Sequence, residues 1–203
     1  MTGKFKVRRD RILFVDFELT CWEDAPPAGE EPEIVEIGLA EIDVSSRLCT
    51  RAHSFLVIPE RSAISPYCEN LTGISAAMVR KNGRPLREIS ATLKKEWGTA
   101  NKAWMAWGAD RAAILRDCRV KNVENPFSEA FHNLGQQFSF LVGGSSSIGL
   151  NDAHRMLGLE RSGKIHRGME DALAAAQVWL ALAGRLQSAL AGKPVPAAHG
   201  LSP

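Results

Sequence analysis

A chain of 203 residues can form one domain with a full hydrophobic core. Its 45% hydrophobic and 24% charged residues exclude a disordered or fibrous protein, and no stretch approaches the ~20 apolar residues of a membrane span. The net charge of +2 identifies no class of partner. The four cysteines form no Cys-x-x-Cys pair, so no zinc site is indicated, and their scattered use favours a cytoplasmic location.

The first part of the chain predicts three strands joined by short loops, which is typical of an antiparallel meander. These strands cover residues 11–19, 34–42 and 54–58, and an acidic, proline-rich loop at 24–32 separates the first two. Within the second strand, Glu36 and Glu41 are expected to face solvent.

Helices alternate with short strands in the rest of the chain. Ser75 is a predicted N-cap for a helix that begins at Ala76. Further helices are predicted to begin at Asp110 and to cover 150–159 and 171–190, with short strands at 103–107 and 131–134. One helical face collects the apolar residues Leu86, Ile89, Leu93 and Trp97.

This order of elements indicates an α/β fold in which helices flank a mixed sheet. We expect a basic N-terminal segment at 1–10, one domain over 11–190 and a flexible tail over 191–203. Basic residues also crowd the loop at 161–167. We interpret both basic clusters as solvated surface, with a phosphate-binding rim as the alternative.

Two carboxylates interrupt the most apolar run near the start of the chain. Asp16 and Glu18 are two residues apart on a predicted strand, so they point to the same face. Like charges held this close raise each other's pKa unless a cation lies between them. The pair therefore predicts a divalent metal site.

Two more acidic residues stand where such a site needs ligands. Asp110 follows a predicted strand through a Gly108-Ala109 turn, which places it at a strand's carboxyl end, where open α/β sheets bind ligands. Asp171 follows His166 by five residues. Taken alone, each aspartate could simply cap its helix and His166 could be a surface histidine. The joint pattern, in this order, favours a common site.

These motifs resemble those of the DEDD 3′-to-5′ exonucleases with a catalytic histidine, which have a ribonuclease H-like fold. The three matches are Asp16-Phe17-Glu18, the helix-opening Asp110, and His166 with Asp171. The segment 71–74, Leu-Thr-Gly-Ile, also matches, and residues 15–23 are close to the version in the exonucleases that trim histone mRNA and small RNAs. The resemblance spans residues 11–185.

The resemblance implies a role for each residue. Two divalent cations, Mg²⁺ or Mn²⁺, would be held by the carboxylates of Asp16, Glu18, Asp110 and Asp171. Glu18 would also serve catalysis by helping to hold the cation beside the attacking water, and His166 would be the general base. The implied reaction releases nucleoside 5′-monophosphates from the 3′ end of a single-stranded nucleic acid, with RNA favoured and DNA as the variant.

Substrate contacts follow from the same comparison. The terminal nucleotide would lie against the backbone of Phe17 and Leu19, and His166 would also face it. Candidates to frame its base or sugar are Leu19, Trp22, Thr72, Ile74 and Trp107. We expect core packing for Trp97, Trp104 and Trp179, and no ligand role for His53, His132, His154 and His199.

Two other classes of function compete with this hypothesis. One is a non-catalytic nucleic-acid-binding or adaptor protein that has the same fold, whose signature would be a lost carboxylate or histidine. The other is an endonuclease on the same fold. The complete ligand set favours the exonuclease. The sequence indicates no membrane association and identifies no protein partner.

Overall fold

Five strands form one mixed sheet in the computed structural model, which describes residues 7–144, 146–161 and 163–192. The sheet order is β3-β2-β1-β4-β5. β1 (Arg8–Leu19), β2 (Ile34–Asp43) and β3 (Cys49–Leu56) form the predicted antiparallel meander. β4 (Lys102–Ala106) and β5 (Phe131–Asn133) continue the sheet in parallel with β1. The predicted mixed sheet is confirmed.

The start of β1 and both ends of β3 differ from the sequence prediction by two residues or more. β1 begins at Arg8 rather than at residue 11, because Arg8 pairs with Lys102 at the start of β4. β3 begins at Cys49, five residues before the predicted start, because residues 49–53 pair with β2 although they are largely polar. It ends at Leu56, two residues before the predicted end, and Val57 forms an isolated bridge to Arg84.

The helices occupy the connections between strands and the end of the chain. They are α1 (Pro66–Thr72), α2 (Ala76–Asn82), α3 (Leu86–Thr92), α4 (Asp110–Val120), α5 (Leu134–Leu141), α6 (Leu150–Leu157) and α7 (Gly168–Leu190). A π-helical turn (Leu93–Trp97) extends α3. Ser75 caps α2 as predicted, its hydroxyl accepting from the Met78 amide at 3.1 Å. No helix in the described ranges has the length and hydropathy of a membrane span.

Helices cover both faces of the sheet, and alternate residues of β1 contact the two layers. Leu13, Val15 and Phe17 pack on one side against α3, its π-helical turn and α4. Phe14 packs on the other side against α7, where alanines at 172, 175 and 176 allow a close approach to the sheet. Asp16 and Glu18 share the α7 side by this alternation.

The predicted exposure of Glu36 and Glu41 is wrong. Both carboxylates are buried, at 0% and 4% exposed, because each lies under a cation that neutralises it. Glu41 pairs with Lys102 and with Arg51, whose Nη2 is 3.2 Å away. Glu36 pairs with Arg167. The alternation of polar and apolar residues in β2 therefore did not indicate that one face of this strand is exposed to solvent.

The predicted core aromatics lie where the pattern placed them. Trp104 is fully buried and Trp97 nearly so, whereas Trp179 is half-buried against Phe14 with ring centroids 5.9 Å apart. His154 is buried, and its Nε2 pairs with the carbonyl of Ala174. His199 and the end of the predicted tail, 193–203, lie outside the described residues.

Candidate active site

The carboxyl ends of β1 and β4 meet at one edge of the sheet, because the two strands are adjacent and parallel. Asp16 and Glu18 lie near this end of β1. Asp110 is the first residue of α4, immediately after the turn that follows β4. The topology thus brings three of the predicted ligands to one edge.

The Asp110 carboxylate is held in a fixed orientation by two backbone amides. Its Oδ1 accepts from the amide of Phe17 at 3.1 Å, and its Oδ2 accepts from the amide of Gly108 at 3.2 Å. Phe17 stands between Asp16 and Glu18 in β1. These bonds therefore tie the second motif directly to the first.

The fourth carboxylate comes from the other end of the chain. Asp171 lies in the first turn of α7 and is 8% exposed, as is Glu18. Its Oδ2 accepts from the backbone amide of His166 at 3.3 Å, and its Oδ1 pairs with the guanidinium of Arg161. One ligand atom from each of Glu18, His166 and Asp171 lies within 4.8 Å of the others. The three motifs therefore converge.

The acidic cluster is electrostatically strained. Burial raises the pKa of Asp16 well above its usual value, and the neighbouring carboxylates of Asp110, Glu18 and Glu36 raise it further. Burial, followed by the charges of Glu36 and Asp110, raises the pKa of Glu18 to about 7. Burial also raises the pKa of Asp110.

Oxygen-rich clusters of this kind suit hard divalent cations such as Mg²⁺ and Mn²⁺. A cation among these carboxylates would relieve their repulsion. The donor set therefore fits the predicted metal.

His166 is an exposed residue at the rim of this cluster. Partial burial of its ring and the nearby charge of Arg161 lower its pKa. The neutral imidazole consequently predominates at pH 7, so a ring nitrogen can accept a proton. The backbone of His166 adopts the left-handed conformation, with φ of 61°.

The predicted substrate contacts differ in accessibility. Leu19 and Trp22 are half-buried beside the carboxyl end of β1, where a ligand can reach them. Phe17 is 8% exposed and its ring packs against Phe127, with centroids 6.0 Å apart. Only the backbone of Phe17 was expected to meet the nucleotide, so its buried ring leaves that prediction untouched.

Thr72, Ile74 and Trp107 are engaged within the protein. Thr72 and Ile74 are fully buried, and the Ile74 amide donates to the Thr72 hydroxyl at 3.0 Å. The Trp107 indole donates to the carbonyl of Ile148 at 2.9 Å, and its ring packs against Phe138. Their roles as nucleotide contacts stay predictions, and they would need some rearrangement.

Sequence reasoning missed how the basic loop is used. Arg161 pairs with Asp171, Arg167 pairs with Glu36, and the ammonium of Lys164 lies over Gly73. Two of these three cations are thus engaged by carboxylates. From the sequence, Glu36 was expected to face solvent. Its pairing with Glu18 in the β1–β2 register is the signal that could have placed it beside the carboxylate cluster.

A cleft lies beside the turn that precedes α4. It has a volume of about 560 Å³ and begins at Gly108 and Ala109, next to Asp110. Among the residues that the structure describes, its wall includes the polar side chains of Asn133 and Gln136 and no charged side chain. The cleft therefore adjoins the turn before Asp110, and none of the predicted metal ligands lines it.

The model of the Exonuclease (RNase_T) family matches residues 13–179, which include all three motifs. The chain belongs to this family. The chain is 26% identical over 188 residues to the 3′-5′ exonuclease Snipper of Drosophila melanogaster. The alignment covers 79% of this chain and 65% of that protein. The chain is also 26% identical over 186 residues to ERI1 exoribonuclease 2 of Xenopus laevis, covering 79% of this chain and 26% of that protein. The chain thus spans only part of these curated relatives.

Solved structures share the fold. The nuclease domain of 3′hExo, described as a DEDDh family member bound to rAMP, superposes with a TM-score of 0.78 at 20% identity, covering 86% of this chain and 92% of that domain. Escherichia coli Exonuclease I in complex with a dT13 oligonucleotide gives a TM-score of 0.68 at 15% identity, covering 91% and 43%. The predicted ribonuclease H-like fold is confirmed.

Proposed function

We propose that this protein is a metal-dependent 3′-to-5′ exonuclease that releases nucleoside 5′-monophosphates from single-stranded nucleic acid, preferentially RNA. The observation that carries the proposal is the convergence of four carboxylates from β1, α4 and α7 beside one accessible histidine. The family and the exonuclease names of its relatives support the same reaction.

Asp16, Glu18, Asp110 and Asp171 would hold the divalent cations, as the raised pKa values of the first three favour. When bound, such cations supply positive charge that offsets the charge on the attacked phosphate and ease the deprotonation of a nearby water. We propose two cations, Mg²⁺ or Mn²⁺. The amides of Phe17 and Gly108 keep Asp110 oriented toward them.

His166 takes the proton of the attacking water. Its exposure lets water approach the ring, and its lowered pKa keeps the imidazole neutral at pH 7. Leu19 and Trp22 frame the terminal nucleotide from the β1 side. Upstream nucleotides follow the uncharged cleft that begins at Gly108.

RNA is favoured by the relatives described as exoribonucleases and by the fold neighbour bound to rAMP. Single-stranded DNA is the second candidate, because Exonuclease I shares the fold and is described with a dT13 oligonucleotide. The non-catalytic adaptor hypothesis loses support, since every ligand of the motif set is retained and converges. We propose a cytoplasmic location, in keeping with four free cysteines.

The test is a time course on a 5′-labelled single-stranded RNA and the matched DNA, with Mg²⁺, Mn²⁺ or EDTA. We expect a ladder that shortens from the 3′ end, stops in EDTA and is lost in His166→Ala. His132→Ala is the matched control, since His132 is exposed on β5 and has no proposed role. Tight oligonucleotide binding without shortening would instead support the adaptor, and cleavage of a circular substrate would support an endonuclease.

A further inference from the structure

A fifth carboxylate lies beside the cluster, and the motifs do not account for it. Glu36 on β2 is fully buried and stands directly opposite Glu18 in the antiparallel register. It accepts three hydrogen bonds, from Arg167 Nε at 3.3 Å, from Arg167 Nη2 at 2.9 Å and from the backbone amide of Gly168 at 2.7 Å. A charged acceptor of this geometry matches the fork of an arginine.

These donors belong to the segment that carries the catalytic groups. Arg167 and Gly168 stand between His166 and Asp171, at the point where α7 begins. His166 has a left-handed backbone, which a residue with a side chain keeps only where its neighbours hold it. The bonds to Glu36 start at the very next residue, so they are placed to hold this conformation.

Close backbone packing reinforces the same contact. Gly168 approaches Gly38 of β2 so closely that a methyl group at Gly38 would overlap the backbone of Gly168 and Met169. A Cβ atom at Gly168 would lie 2.8 Å from the amide nitrogen of Gly38. The start of α7 therefore sits directly on β2, two residues along that strand from Glu36.

The charge of Glu36 has an electrostatic cost, because it raises the pKa of Asp16 and Glu18. Arg167 offsets that cost in part, since its charge lowers the pKa of Glu18. The pair thus holds the loop without adding a net charge to the cluster.

We propose that Glu36 is a positioning residue, which acts through Arg167 and Gly168 to hold His166 and Asp171 against the β1 carboxylates. This inference rests on the proposed exonuclease function. Glu36 itself contacts neither substrate nor water in this role.

The test compares two buried glutamates of the same strand. Glu36→Gln keeps the shape and an acceptor for Gly168, but it loses the charge and the second acceptor that Arg167 needs. Glu41→Gln is the matched control, because Glu41 is equally buried and ion-paired but lies on the opposite face of β2, against Lys102. Both variants are measured for kcat, KM and thermal stability.

We expect Glu36→Gln to lower kcat by ~10–100-fold, because a displacement of catalytic groups by about 1 Å can cost up to ~100-fold. KM should change by less than about threefold, because the substrate surface is untouched. Glu41→Gln should lower thermal stability while kcat at a permissive temperature stays near wild type. Equal kcat losses in both variants, or wild-type kcat in Glu36→Gln, would overturn the proposal.

Hydrogen exchange gives a readout that does not depend on activity. The backbone amides of residues 163–171 should exchange faster in Glu36→Gln than in wild type. In Glu41→Gln they should exchange at the wild-type rate. Unchanged exchange in Glu36→Gln would contradict the proposal. Arg167→Lys, which keeps the charge but loses the fork, should show an intermediate kcat. If wild-type protein cleaves no nucleic acid, the proposed function fails, and the exchange comparison still decides whether Glu36 holds this segment.

Discussion

Replacing Glu18 with Gln should make the metal-free protein more stable while it removes the nuclease activity. Burial and the charges of Glu36 and Asp110 raise the pKa of Glu18 from 4.5 to about 7 in the folded protein. The ionised carboxylate therefore destabilises the fold at neutral pH. The isosteric amide keeps the shape and removes the charge.

The magnitude follows from proton linkage. Between pH 4.5 and about 7, the unfolded chain has released the Glu18 proton and the folded protein retains it. The unfolded state thus binds fewer protons, so the free energy of unfolding falls as pH rises, by ~1.4 kcal/mol per pH unit. Over this window the loss amounts to ~3 kcal/mol, and it is complete above the folded-state pKa.

The assay is urea denaturation in EDTA at several pH values between 5 and 8. Wild type should lose stability across this range, whereas Glu18→Gln should lose less and exceed wild type by ~3 kcal/mol at pH 8. Adding Mn²⁺ should restore wild-type stability and leave the variant nearly unchanged. A variant no more stable than wild type at pH 8 would refute the account of a repulsive, metal-binding cluster.

Three further substitutions test separate parts of the structure. Gly38→Ala should destabilise the protein by ~3 kcal/mol or more, because the added methyl group would overlap the Gly168 backbone. Chemical denaturation measures this loss of stability, and a near-neutral effect would contradict the close packing. Lys121→Met should lower the free energy of unfolding by ~3–5 kcal/mol, since the Lys121 side chain is 2% exposed and neutralises buried carboxylates, yet activity per folded molecule should persist. His166→Gln should lower kcat by ~10²–10⁴-fold while Mn²⁺ affinity, read by electron paramagnetic resonance, stays near wild type. A parallel loss of Mn²⁺ affinity would make His166 a ligand instead of the base.

The sequence predicted the parts of the site that have local signatures. Asp16 and Glu18 stand at a fixed spacing on an apolar strand, and Asp110 follows a short strand and a turn, so pattern and element order were sufficient to mark these residues as candidates. Strands 1 and 4 also had to be parallel neighbours for these residues to meet. The family resemblance supplied that information, which residue periodicity alone does not contain.

The groups that sequence reasoning misplaced are those defined by long-range pairing. From the sequence, Glu36 is indistinguishable from an ordinary polar residue of an alternating strand, because its partner Arg167 lies 131 positions further along the chain. Arg161 reads as part of a basic surface, because its contact with Asp171 depends on how the loop folds back onto α7. A buried charge of this kind becomes visible only when both partners are located in space.

The central claim is that this site uses water to remove nucleotides one at a time from a 3′ end. The most direct test is mass spectrometry of the products formed from single-stranded RNA in ¹⁸O-labelled water with Mn²⁺. The account predicts nucleoside 5′-monophosphates that carry one ¹⁸O atom on the phosphate. Nucleoside 3′-monophosphates, internal oligonucleotide fragments or unlabelled phosphate would contradict it.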